Sequence, residues 1–493
     1  MIRIVVLGGG TAGWMAASLL ARAWSPSQAQ VTVIESPDIG IIGVGEGSTP
    51  QLKAFFDTLG IAERDWMPAC DATYKTGIAF HNWSARAGCE SYFHPFPTAL
   101  DVHTNDAFFS HAAARRGGVD FDAHPDHFYL PARLAAERRG PHAAPNFPFE
   151  VSYGYHFDAY KVGAYLRDHA VARGVEHLPL MVDEVLVDAD GQVTGLRCAD
   201  GRVVAGDLFV DSSGFRSVIA QGALGVKFLP FADNLFNDSA VVLPTPRGGE
   251  ALNAHTKSTA LSAGWVWDIP LTSRTGNGYV YSSRYLSADQ AEAELRQHLG
   301  LGDDPPARHL SMKVGRVEQS WAANCLAVGL AQGFIEPLEA TALHIVQATV
   351  EGFIEAYESG GFTPANRDAF NARINARYEG IRDYIVCHYR VNRRSDTPYW
   401  RDNAANTALS DSLKALLNCW YSGGDMVAEV ERQRIGGYYS AISWHCLLAG
   451  YGTFPHQLQR VGRGYDMARI ADFLGACASN FAPHHEQLAA LQG

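Results

Sequence analysis

Residues able to do chemistry gather first in the opening fifty positions. Gly8-Gly9-Gly10-Thr11-Ala12-Gly13 is a G-x-G-x-x-G, and Glu35 follows Gly13 by 22 residues (35 − 13). This spacing suits a bound pyrophosphate. Gly8 permits a tight turn, Gly10 lets phosphates approach the backbone, and Gly13 lets a helix lie close to a strand. Thr11 and Ala12 open that helix, whose N-terminal N–H groups and positive dipole end attract anions. Glu35 stands where an acid accepts from ribose hydroxyls. A bare structural turn shares the glycines, so the flanking elements decide. Met1–Leu7 is an apolar run that reads as a buried parallel strand. Trp14–Trp24 reads as a helix, and Val31–Glu35 as a second strand ending in the acid. The stretch therefore reads as a site for an adenine dinucleotide. A second glycine-rich loop, Ile39–Pro50, carries Gly45, Glu46 and Ser48. It is either a flexible loop or one held against a ring system with its N–H groups turned inward.

Other chemistry-bearing residues lie further on. Asp211 and Gly214 sit in a strand-turn stretch, Asp207–Ser217. They read as a second contact to the same cofactor, with the acid accepting from a ribityl hydroxyl; the alternative is an ordinary turn acid. Between residues 100 and 300 no second dinucleotide unit occurs, so a flavin here would need electrons from outside. Lys75 falls among apolar neighbours on the alternating stretch Tyr74–Trp83, where desolvation would lower its pKa. Glu339 falls near the start of an expected long helix, Pro337–Tyr357, where a carboxylate can accept a proton. A snorkelling surface lysine and a first-turn acid stabilised by the helix dipole are the plainer alternatives. Trp265 and Trp267, one residue apart on a strand, share a face, an arrangement common in cores.

The elements that must position these groups read as an α/β protein. Its 493 residues are 47% apolar and 19% charged, ordinary for a globular chain, and its net charge of −12 with no basic tract argues against a nucleic-acid partner. Eight cysteines show neither C-x-x-C nor a zinc spacing, so no metal site is expected and the thiols read as reduced and mostly buried. The chain enters a strand without a signal peptide and has no apolar run long enough for a membrane span, which points to the cytoplasm. Gln51–Leu59, Tyr160–Gly174 and Phe370–Asn392 read as helices, and Glu184–Ala199 as a hairpin turning at Gly191-Gln192. Thr259–Pro270 and Gly278–Ser283 read as antiparallel strands. Cys89–Pro148, rich in His, Pro and aromatics, reads as an irregular covering loop. The resulting architecture is a Rossmann-type dinucleotide-binding module, residues 1–365, threaded with a mixed and antiparallel sheet, then a mainly helical C-terminal module, residues 366–493.

Several stretches are similar to one family, the flavin-dependent tryptophan and indole halogenases. Gly264-Trp265-Val266-Trp267-Asp268-Ile269-Pro270 resembles the family's W-x-W-x-I-P. Further matches are GVGEGSTP at 43–50, YKTGIAFHNW at 74–83, DLFVDSSGFRS at 207–217, GNGYVYSS at 276–283, GFIEPLEATAL at 333–343 and YEGIRDYIVCHY at 378–389. The resemblance implies that the first module binds FAD and the second substrate. The FAD would be used as FADH2 from a separate NAD(P)H flavin reductase, with O2 and chloride or bromide. A flavin hydroperoxide would oxidise the halide to hypohalous acid, which would be passed to Lys75 for electrophilic halogenation of an indole-like ring. Glu339 would assist proton loss. Trp265, Trp267, Ile269 and Pro270 would keep organic substrate away from the flavin, and backbone N–H groups of Thr341 and Ala342 would hold the halide. Many members read P-L-E-S-T-G where this chain has Pro337-Leu338-Glu339-Ala340-Thr341-Ala342. The methyl of Ala342 is expected to crowd that site or restrict φ.

The substrate pocket is expected to use His94, Tyr438, Tyr439 and Trp444. Tryptophan enzymes of the family ground the substrate ammonium partly on acid in the C-terminal module, whereas this chain has no Asp or Glu from Arg432 to Tyr465. A buried ammonium without a partner is costly, so the expected substrate is an indole without a free amino-acid group. A flavin-dependent aromatic hydroxylase or epoxidase is a rival that gives the tryptophan pair and Lys75 no role. A non-catalytic flavin-binding redox protein is another. No membrane partner is expected, and a homodimer is compatible with the sequence.

Overall fold

The computed structural model describes residues 1–40, 45–248, 252–455 and 463–492. The middle of the expected loop at 39–50 and the end of the acid-free stretch therefore lie partly outside the described residues. The chain divides into two compact units, each drawn from three stretches. The first holds Met1–Asp71, Phe157–Ala232 and Lys313–Glu379; the second holds Ala72–His156, Asp233–Met312 and Gly380–Gly493. A single boundary at 365/366 was expected from the sequence. The interleaving arises because Glu176–Leu178 and Leu208–Asp211 join the sheet of Ile2–Leu7, whereas Thr256–Ala260 and Gly264–Pro270 join the sheet of Gly77–His81.

In the first unit a six-stranded sheet runs in the order Trp321–Ala322, Cys325–Ala327, Leu208–Asp211, Ile2–Leu7, Ala29–Ile34, Glu176–Leu178. Its strands are parallel except for the edge strand Trp321–Ala322. Such strands, covered on both faces, need continuous apolar runs, and Ile4–Leu7 and Val31–Ile34 are buried. The helix Thr11–Ala23 follows the first strand and packs on the helices Ala159–Val171 and Ala342–Ser359. Buried Val5, Leu7, Ile34, Leu196, Phe209 and Ile219 form a core beneath the antiparallel hairpin at 182–198.

The second unit contains a mixed eight-stranded sheet. Its path is Arg308–Ser311, Ser239–Val242, Arg274–Tyr281, Gly264–Pro270, Thr256–Ala260, Gly77–His81, Ser91–Pro95, with Thr245–Pro246 also pairing to Arg274–Tyr281. Only the pairing of Thr256–Ala260 with Gly77–His81 is parallel in this path. The helices Asp411–Tyr421, Ala441–Gly450 and Met467–Ala478 are among those the C-terminal stretch supplies.

Three expectations change. The region expected to be irregular contains the strand Ser91–Pro95 and the helices Asn105–Arg116 and Leu130–Ala136. Its apolar residues anchor those helices: Phe108, Leu130 and Leu134 are wholly buried. The strand expected at 74–83 is two strands, Thr73–Lys75 and Gly77–His81. It breaks at Thr76, whose N–H and hydroxyl both donate to the Ala254 carbonyl, at 2.7 and 2.9 Å. The long helix expected from Pro337 is a short 3-10 turn, Pro337–Glu339, then Ala340, then the helix Ala342–Ser359. Ala340 takes the left-handed conformation, φ 55°, which ends the first turn.

Candidate active site

The glycine motif folds as its spacing requires. Gly8 has φ 112°, a conformation other residues avoid, and a Cβ there would collide with the Ser212 carbonyl. A Cβ at Gly13 would collide with the carbonyl oxygen of Gly8. Gly10 caps the helix Thr11–Ala23 in an extended conformation, and the Thr11 hydroxyl donates to the Ala159 carbonyl at 3.2 Å. The result is a cradle of bare backbone at a helix N-terminus, which fits a dinucleotide phosphate. Glu35 lies just past the second strand, its carboxylate against Gly9 and 3.0 Å from His177 Nε2.

Glycine residues Gly45 and Gly47 flank Glu46 on the short strand Gly45–Gly47, and Ser48 is buried. Desolvation, with the nearby Asp158 carboxylate, raises the Glu46 pKa to about 7. Asp158 itself caps the helix Ala159–Val171 by accepting from the N–H groups of Tyr160 and Lys161.

Asp211 is bonded within its own turn. This residue is wholly buried. Its Oδ1 accepts from the Ser213 N–H (3.1 Å) and hydroxyl (2.6 Å), and its Oδ2 from the N–H groups of Ile219 (2.9 Å) and Ala220 (2.8 Å). The Ser217 hydroxyl also donates to Oδ2, at 3.5 Å. Asp211 therefore organises the turn carrying Gly214 (φ 70°).

Glu339 and Thr341 are both buried, at 4% and 5% exposure. Thr341 caps the helix Ala342–Ser359 in αR geometry, so Ala342 is its first helical residue. The expected restriction on φ at Ala342 is not met, because a methyl is readily accommodated at that position. The unusual backbone falls at Ala340 instead.

The second unit holds the other half of the predicted set. Lys75 is wholly buried at the end of the strand Thr73–Lys75, paired antiparallel with Gly154. Its Nζ lies 5.6 Å from the ring centre of Phe96, and Phe96 N–H donates to the Thr76 carbonyl. His156, opposite Thr73 in this pairing, is held neutral well below the ordinary histidine pKa, chiefly by burial and then by Lys75. Trp265 and Trp267 are buried on one face of the strand Gly264–Pro270, ring centres 6.2 Å apart and tilted 59°. Trp267 lies over Gly278, where a Cβ would collide with its ring. Ile269 and Pro270 complete the strand and are buried. A cleft of about 280 Å³ lined by His81, Lys257 and Asp268 opens on the opposite face of the sheet, since Lys257 and Asp268 alternate with the residues beside the tryptophans.

Three of the four expected pocket residues meet around one that the sequence reading missed, Tyr384. Tyr439 stacks on Tyr384 at 3.6 Å and 7°, Trp444 meets it edge-on at 4.9 Å, and the His94 ring is 5.7 Å away. Tyr438 packs instead against Gly380. Tyr384 lies in the motif at 378–389, and its helical face was the available signal. His156 and His484 also went unnoticed, because no sequence spacing ties them to Lys75. The eight cysteines are free thiols, six of them buried. Among the described residues no His/Cys/Asp/Glu cluster fits a metal ion, and no helix is long and apolar enough to cross a membrane.

A parallel sheet carrying a glycine cradle, a buried lysine on a short strand of its own small sheet, and a strand bearing two buried tryptophans are the features of a flavin-dependent halogenase. The chain belongs to the tryptophan halogenase family, whose model matches residues 3–466. It is 35% identical to the 7-chloro-L-tryptophan 6-halogenase KtzR of Kutzneria sp. (strain 744), over 99% of both chains. Among solved structures it is similar to Tar14, a tryptophan C-6 flavin-dependent chlorinase from taromycin biosynthesis (TM-score 0.87, 32% identity, all of both chains). It is also similar to BrvH, a flavin-dependent halogenase from Brevundimonas sp. BAL3 (TM-score 0.85, 32% identity, all of both chains).

Proposed function

We propose that the chain halogenates an indole-like aromatic substrate without a free amino-acid group, using FAD held by Gly8, Gly10, Thr11, Ala12 and Gly13. When bound reduced, the flavin supplies with O2 the oxidising equivalent that converts chloride or bromide to hypohalous acid. With one G-x-G-x-x-G in the sequence, a separate NAD(P)H flavin reductase delivers that reduced flavin. The N–H groups of Thr341 and Ala342 hold the halide, and Trp265 and Trp267 bar organic substrate from the flavin.

Lys75 is the acceptor of the oxidised halogen. It hydrogen-bonds hypohalous acid and presents the halogen to the ring; the most electron-rich ring carbon attacks the halogen, the oxygen–halogen bond breaks, and the departing hydroxide takes a proton from the Lys75 ammonium to leave as water. Glu339 takes the proton that the ring then loses. The observation carrying this reading is the complete burial of Lys75: removing a lysine from water is expensive, and buried lysines with shifted pKa values concentrate at reactive sites.

The substrate class rests on the aromatic wall. His94, Tyr384, Tyr439 and Trp444 offer ring faces and edges, which suit an indole. The acids beside that wall are already engaged. Asp383, next to Tyr384, accepts from Arg382 at 2.9 Å and Ser410 at 2.6 Å, and Asp126 accepts from the Phe93 N–H at 2.7 Å. Without an ammonium anchor, a small indole presents C3. Competition between indole and tryptophan, with product sites assigned by NMR, tests this. The expected result is preferential halogenation of indole at C3; clean benzene-ring halogenation of tryptophan at higher kcat/KM would reveal an anchor.

A further inference from the structure

Lys75 is flanked on its own strand by residues whose bonds run to a single segment, Leu252–Thr256, and to the end of the tryptophan strand. Two buried histidines make most of those bonds. The Thr73 hydroxyl has one hydrogen, and Pro270 O, which can only accept, takes it at 2.7 Å. Thr73 Oγ1 must therefore accept from His156 Nδ1, 3.0 Å away. That places the single imidazole proton on Nδ1 and leaves Nε2 to accept from the Thr256 hydroxyl at 2.9 Å. The chain of donors runs in one direction: Thr256 to His156 to Thr73 to Pro270.

One residue on, the Tyr74 N–H donates to His484 Nε2 at 3.3 Å, while His484 Nδ1 donates to the Leu252 carbonyl at 3.1 Å. This fixes the tautomer of His484 in the same way. Beyond Lys75, Thr76 donates twice to the Ala254 carbonyl. Residues 73, 74 and 76 are thus pinned to Thr256, Leu252 and Ala254 in turn, and residue 73 also to Pro270. His156 and His484 are wholly buried, and burial keeps both neutral, as the acceptor nitrogens require.

We propose that His156 and His484 are positioning residues: they fix the Lys75 strand to the segment Leu252–Thr256 and to the end of the tryptophan strand, and so set how much oxidised halogen reaches substrate rather than escaping. The proposal rests on the reading of Lys75 as the halogen acceptor. Neither histidine touches the reacting atoms in this account; each acts through the backbone that carries Lys75. A displacement of the lysine by about 1 Å is enough to cost a large part of a positioned reaction, up to ~10²-fold.

The test uses the flavin-loaded enzyme with reductase and bromide, and reads three quantities: O2 consumed, halogenated indole formed, and hypobromous acid captured by an added thioether. Thr73→Val keeps the volume and removes the hydroxyl that links His156 to Pro270; Thr73→Ser restores it. His484→Gln tests the second pin independently and keeps the proposal falsifiable should Thr73→Val fail to fold. The expected result is unchanged O2 consumption, with product per O2 reduced about tenfold or more in Thr73→Val and His484→Gln. Captured hypobromous acid should rise correspondingly, and coupling should return in Thr73→Ser. A merely structural role would lower the melting temperature and leave product per O2 unchanged, and that result overturns the proposal. Lys75→Ala run alongside separates the two readings: full product from that variant brings down the lysine reading, whereas its loss beside wild-type coupling in folded Thr73→Val and His484→Gln brings down the positioning role alone.

Discussion

The glycine cradle of the first unit and the lysine strand of the second hold their chemistry in different ways. In the cradle the groups are backbone. Gly8 and Gly13 matter for what they lack, and the Asp211 carboxylate orders the neighbouring turn. Around Lys75 the groups are side chains from distant parts of the sequence, with Thr73, His156, Thr256 and His484 meeting through specific hydrogen bonds. A backbone site needs short-range spacing, so it tolerates change at neighbouring side chains and fails when a methyl is added. A side-chain site tolerates added volume at its rim and fails when one donor is lost.

Short of removing Lys75 itself, the largest expected effect on the chemistry comes from Glu339→Gln, which keeps volume and removes the proton acceptor. Halogenation should slow by about 10²–10⁴-fold on general-base magnitudes, with an unchanged melting temperature; an unchanged rate would remove Glu339 from the mechanism. In the cradle, Gly13→Ala should cost about 1–3 kcal/mol through overpacking against Gly8 O and abolish flavin retention in equilibrium dialysis. Normal flavin affinity in this variant would show that the backbone there has slack. Gly278→Ala tests the side-chain region in the same manner. It must displace the Trp267 ring, and a loss of about 1–3 kcal/mol in denaturant titration is expected, with flavin affinity untouched.

The contrast between the regions also explains what the sequence disclosed. The cradle was legible because strand, glycines, helix and acid fall within thirty-five consecutive residues. The tryptophan strand was legible because alternation places Trp265 and Trp267 on one face. Lys75 was legible as a buried strand residue, yet the break at Thr76 was not, since it depends on a carbonyl at Ala254. The donors around Asp211 were not legible, because a motif position does not reveal how many donors surround a carboxylate. The turn at Ala340 was hidden by a residue type that favours helix. Tyr384 and the two histidines were invisible for the same reason as the Ala254 bond: their partners are far away in sequence.

A separate effect, outside the chemistry, is on stability as a function of pH. Burial lowers the pKa of His445 and His484 to about 4 and that of His255 to about 3. In the unfolded chain each takes a proton near pH 6.5. The unfolded state therefore binds more protons between about pH 6.5 and 4, and stability falls as pH falls through that window, by up to about 1.4 kcal/mol per pH unit for each histidine. Above pH 6.5 this contribution is complete and flat. His445→Gln should flatten the acid slope by one proton in denaturant titrations at pH 7 and pH 5; an unchanged slope would mean that His445 is charged in the folded protein.

The central claim is that the second unit's lysine acts after the flavin step of the first. Lys75→Ala, assayed with reductase, bromide and indole, addresses it directly through simultaneous O2 uptake and mass spectrometry of products. The account predicts undiminished O2 uptake with halogenated indole lost; near-normal halogenated indole from this variant would contradict it.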